Sequence, residues 1–90
     1  MKRLKKTAPT ASRHTCKWSY TNPKPYTIDF VMEPWGDVIA MPPGKTYEVI
    51  AQGPKSGELE KRVTASQVTV YAWPGSSLKV MSDGVDITNK

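Results

Sequence analysis

The sequence predicts an all-β chain, a small antiparallel β-sandwich or barrel of six to seven strands. Three observations predict it. Eight prolines and six glycines interrupt a chain of 90 residues, at intervals of roughly ten residues through its body, which leaves no room for helices of useful length. Between these breaks apolar and polar residues alternate with a period of two, the signature of a strand with one buried face. The breaks themselves are Pro-Pro-Gly, Pro-Gly and Asp-Gly, residues that preset or tolerate the backbone angles of tight turns.

Taken in order, residues 16–21 place Cys16, Trp18 and Tyr20 on one face. Asn-Pro-Lys-Pro at 22–25 then ends the strand, because proline cannot donate to a ladder. Residues 26–33 turn Ile28, Phe30 and Met32 inward and Asp29 and Glu33 outward, and 34–37 form a turn into a short strand at 38–41. After Pro42-Pro43-Gly44, residues 45–52 carry Tyr47, Val49 and Ala51 on one face. Beyond the loop at 53–57, residues 58–65 set Leu59 and Val63 against water-facing Glu58, Glu60, Arg62 and Thr64. Residues 66–73 alternate Val68, Val70 and Ala72 with Thr69, Tyr71 and Trp73. Pro74-Gly75 fits the central positions of a type II turn, where proline presets φ and glycine accepts a positive one. Residues 77–82 form a strand around Leu78 and Val80, and Asp83-Gly84 is a two-residue hairpin turn into a last strand at 85–88. The expected core is Trp18, Ile28, Phe30, Tyr47, Val49, Val68, Val70 and Val80.

Gly44-Lys45-Thr46 spells the end of a phosphate-binding loop, but the rest of that loop is missing. The motif needs a second glycine five residues earlier, where this chain has the β-branched Ile39. It must also open a helix whose N-terminus faces the anion, whereas Thr46-Tyr47-Glu48-Val49-Ile50 alternates as a strand. A hairpin turn is expected here.

Charge divides the chain. Residues 1–17 hold Lys2, Arg3, Lys5, Lys6, Arg13 and Lys17 and no acid, while the rest holds seven bases against eight acids. Leu4 is the one large apolar residue before Trp18, so this stretch cannot offset its ordering entropy by burial. The expected organisation is a flexible basic arm at 1–14 and a single β domain at 15–90. The start resembles a signal peptide in charge, but Thr7 to Ser12 is not an apolar segment. The longest apolar run, Val38 to Met41, is far short of membrane-spanning length, and the lone Cys16 excludes an internal disulfide. A cytoplasmic protein without membrane contact is expected.

Catalytic constellations are not assembled in the sequence. The one histidine, His14, lies in the expected arm, so no imidazole is held against a nucleophile on a rigid scaffold. His14 and Cys16 supply two metal ligands where a closed zinc site takes four. Glu58 and Glu60 face the same way, about 6.5–7 Å apart from the strand rise, but catalytic carboxylates flank a cleft and one is raised in pKa by burial. These two sit beside Lys61 and Arg62 on a water-facing strand. No enzyme activity, metal or other cofactor is expected.

Three tryptophans and four tyrosines exceed what so small a core hides. Trp35 falls in a turn, and Tyr71 and Trp73 face away from Val70, with Met81 expected on the neighbouring strand. These three aromatics, or a free sheet edge, are the expected partner-binding surface, either for another protein or for self-association; the alternative for the aromatics is that Trp35 and Trp73 plug the ends of the domain. The second functional expectation is nucleic-acid binding led by Lys2, Arg3, Lys5, Lys6 and Arg13 through phosphate contacts. It ranks below a protein partner because no aromatic is interleaved with these cations and the body is not basic.

Glu33-Pro34-Trp35-Gly36, Pro42-Pro43-Gly44 and Tyr71-Ala72-Trp73-Pro74-Gly75 together resemble a pattern in short, uncharacterised bacterial proteins. The resemblance spans about residues 18–84, omits the arm, and implies a compact all-β domain with no established activity. The Met41-to-Val49 stretch, M-P-P-G-K-T-Y-E-V, is similar to a turn common in immunoglobulin-like and cupredoxin-like sandwiches. The copper site of the latter takes two histidines, a cysteine and usually a methionine. With His14 alone available, that site is not carried over.

Overall fold

The computed structural model describes residues 13–54 and 57–88. Among them are eight strands and no helix: β1 (Arg13–Thr21), β2 (Ile28–Glu33), β3 (Asp37–Met41), β4 (Thr46–Pro54), β5 (Glu60–Val63), β6 (Gln67–Tyr71), β7 (Ser77–Ser82) and β8 (Val85–Asp86). They form two four-stranded sheets, ordered β1-β4-β7-β8 and β3-β2-β6-β5. Among the described residues the edge strands of each sheet do not pair with one another, so no barrel closes. The first strand begins at Arg13, which places Arg13 and His14 in the sheet, with His14 opposite Gly53.

The turns follow their residues. Lys45 N–H donates to Pro42 O with Gly44 at φ 78°, and Ser76 N–H donates to Trp73 O with Gly75 at φ 82°. Both are glycines at the third position of a turn, where a side chain is disfavoured. Asp83 and Gly84 both have positive φ, 51° and 78°, as a hairpin of matching twist requires.

One pairing departs from the expected all-antiparallel arrangement. β2 and β6 run parallel, Phe30 opposite Val68 and Met32 opposite Val70. Both are central strands, and Val31 and Thr69 are buried on the face turned away from the core. A period of two reads the same for either strand direction; only the long route between the strands, through β4 in the other sheet, decides it.

The core draws on both sheets. Phe30, Met32, Met41, Val68 and Val70 pack in one cluster with Tyr47, Val49, Ala51 and Val80. The Phe30 and Tyr47 rings meet edge-on at 5.4 Å across the sheets, a favoured aromatic geometry. Seven of the eight expected core residues are buried; Trp18 is the exception, half-buried at the rim of the cluster. Asn22, between β1 and β2, is fully buried. Its Nδ2 donates to Tyr26 O and Met41 O, and its Oδ1 accepts from Lys24 N, each at 2.9 Å. Its backbone also pairs with Lys45 O and Gly44 N. One residue thus ties a loop and the end of β3 through its side chain and the turn into β4 through its backbone.

Candidate functional site

The three aromatics expected to form one surface take three different settings. Trp73, just past β6, is 7% exposed. Its Nε1–H donates to Pro54 O at 2.9 Å, and the His14 ring lies 6.1 Å away. Gly57 lies against the indole so closely that a Cβ there would overlap the ring. Trp73 is a wall of the core. Tyr71 is half-buried at the end of β6, opposite Glu33 and Glu60, and shares a recess of about 270 Å³ with Glu58, Glu60, Trp73 and Pro74. Trp35, in the β2–β3 turn, is 48% exposed and lines a separate recess of about 180 Å³ with Met32, Asp37 and Leu78. Met81, expected beside Tyr71, belongs to β7 in the other sheet, opposite Glu48.

Of the basic residues, Lys2, Arg3, Lys5 and Lys6 lie outside the described residues, and Arg13 is the first residue of β1. Lys45 of the Gly-Lys-Thr stretch pairs with Asp83 at 3.1 Å, in a turn-to-turn contact open to solvent. Among the described residues, no three of His, Cys, Asp and Glu come together as metal ligands. The Tyr47 phenol donates to Ala40 O at 2.6 Å. Burial raises its pKa above the ordinary tyrosine value, and the positive charge of Lys45 offsets part of that rise.

The sequence reasoning missed the place where aromatic residues do reach a sheet edge. Among the described residues β1 bounds its sheet, paired with β4 from Arg13 opposite Pro54 to Thr21 opposite Thr46. Trp18 and Tyr20 stack along it with ring centroids 5.6 Å apart, tilted 24°. From the other sheet, Lys61 Nζ lies 5.6 Å over the Trp18 ring, within cation–π range. Val63, on the same face of β5 as Lys61, is 48% exposed. The alternation of Cys16, Trp18 and Tyr20 carried this signal. That β1 is an edge strand did not appear in its own residues.

The edge has a defined phase. Asn22 N–H continues the ladder to Lys45 O, and backbone groups alternate sides in an antiparallel pair. Tyr20, Trp18 and Cys16 therefore aim their backbone groups at β4. Thr15, Lys17, Ser19 and Thr21 aim theirs at the open side. The chain matches no known protein family, no curated protein and no solved structure.

Proposed function

We propose that this chain is a non-enzymatic protein-interaction module, a small β-sandwich that takes an extended strand of its partner onto the β1 edge. The sandwich itself, of the immunoglobulin-like or cupredoxin-like kind that the Met41-to-Val49 turn resembles, is part of the proposal. The core cluster drawn from both sheets supports it.

The single observation that carries the function is the contrast among the four sheet edges. Proteins blunt exposed edges by shortness, charge or proline. β8 has two residues; β5 has four, with Lys61 and Arg62 among them. β3 has five residues and is bounded by Pro34 and Pro42. β1 carries Arg13 and Lys17, but it has nine residues, no proline, and a Trp–Tyr stack beside the side that is open among the described residues. In strand addition the backbone ladder gives affinity and alternate side chains give selectivity. The expected partner is an extended segment with an apolar residue at every second position, set to meet Trp18 and Tyr20.

A random peptide display library tests this. Enriched peptides should alternate apolar and polar residues, and the Ser19→Pro variant, which removes an edge donor without touching the β4 ladder, should abolish their binding. Peptides that bind Ser19→Pro as tightly as the parent, or no enrichment at all, would refute the edge as the binding element.

A further inference from the structure

We propose that the recess beside the β2–β3 turn binds a quaternary ammonium head group, seated on the Trp35 indole and neutralised by Asp37. The site shares no residue with the β1 edge and stands independently of the reading above. The turn builds it. Gly36 N–H donates to Met32 O at 2.9 Å, with Gly36 at φ 74°. Trp35 is left within the turn, and the chain returns with Asp37 directly opposite Met32. Cross-strand partners share a face, so Asp37 turns with the core residue Met32 toward the other sheet. There Leu78 joins them in a recess of about 180 Å³, with the half-exposed Trp35 as a further wall.

The lining is apolar apart from one charge. Thr88 has its hydroxyl committed to Val80 N and Asp86 Oδ1, and Ser77 alternates with the inward Leu78 and Val80 onto the outer face. Asp37 is the one ionisable residue of the lining. Among the described residues its carboxylate has neither a hydrogen-bond partner nor an ion pair. Trp35 carries no cation of the chain's own either, since the one such contact among the described residues is Lys61 on Trp18. These features choose the ligand. Asp37 repels an anion. A hard metal ion takes about six oxygens, where this recess brings one carboxylate and apolar walls. A sugar would bury hydroxyls with few partners. A primary ammonium has three N–H donors to satisfy and holds its water tightly. A quaternary ammonium has no N–H, spreads its charge over methyl groups that pack on apolar walls, and is drawn to the face of tryptophan, the best aromatic platform for a cation. The recess is smaller than the roughly 300–1,000 Å³ of drug-sized ligand sites, which suits a head group.

Choline is the probe, titrated into the isotope-labelled full chain at constant ionic strength with the Trp35 indole N–H resonance as the readout. The expected result is a saturable shift at Trp35 and none at Trp18 or Trp73. The uncharged carbon isostere of choline should bind about tenfold more weakly, and Asp37→Asn should weaken choline by about the same factor. Trp35→Leu keeps an apolar wall but removes the π face, and should abolish saturable binding as followed at the Asp37 amide. The proposal is overturned by the absence of a saturable shift at Trp35, by an isostere that binds as tightly as choline, or by choline binding that Asp37→Asn or Trp35→Leu leaves unchanged. The comparison of choline with its isostere uses the parent chain, so it does not depend on how any variant folds.

Discussion

Replacing Asn22 by alanine is expected to be among the most damaging single changes in this domain, although Asn22 belongs to no strand. The side chain is 1% exposed and makes three hydrogen bonds, two donated to Tyr26 O and Met41 O and one accepted from Lys24 N. A hydrogen bond is worth about 0.5–1.5 kcal/mol net, and a buried group left without its partner costs about 1–3 kcal/mol. Three lost bonds, with the bond to Met41 O in the interior, come to about 3 kcal/mol. In a domain of this size 1 kcal/mol shifts the midpoint by about 4–8 °C, so Asn22→Ala should melt about 12–24 °C below the parent, followed by far-UV circular dichroism. Asn22→Asp sharpens the test. It keeps the acceptor for Lys24 but turns a carboxylate toward two carbonyl oxygens, so at neutral pH it should be no more stable than alanine. Once protonated it regains one donor and should overtake alanine at low pH. A midpoint for Asn22→Ala within about 3 °C of the parent, less than 1 kcal/mol, would refute the assignment of Asn22 as the tie between these three segments.

Other consequences are open to simple measurement. Burial raises the Tyr47 pKa, so the fold favours the neutral phenol. The resulting stability is fully present below the ordinary tyrosine value of about 10 and is lost as pH rises through the folded-state pKa; Tyr47→Phe should remove that alkaline loss, at a cost of about 1 kcal/mol at neutral pH for the bond to Ala40 O. Gly57→Ala should displace the Trp73 indole, red-shifting tryptophan emission and lowering the midpoint; unchanged emission would count against the close packing there. Lys45→Ala should change stability by less than about 0.5 kcal/mol, because its pair with Asp83 is solvent-screened.

The sequence by itself determined the class of fold, because period-two alternation and the turn preferences of Pro-Gly and Asp-Gly are local properties that each segment expresses alone. It placed turns at Gly44, Gly75 and Gly84, all three at positive φ, and it read Thr46 as the start of a strand rather than of a helix, as the structure has it. It also picked out most of the core, from Ile28 to Val80. What it did not carry is any relation between segments distant in the chain. Whether β2 meets β6 parallel or antiparallel leaves no mark on either strand. The same holds for which tryptophan is enclosed: Trp73 alternates like a surface residue and is walled in by Gly53 and Pro54 at the end of β4 and by Gly57 beyond it, while Trp18 alternates like a core residue and stands at the rim because β1 has no neighbour on one side among the described residues. Burial depends on what the fold brings alongside a side chain. The tertiary structure therefore moved the candidate site from Trp35, Tyr71 and Trp73, which the sequence grouped by exposure, to the open edge at Trp18 and Tyr20.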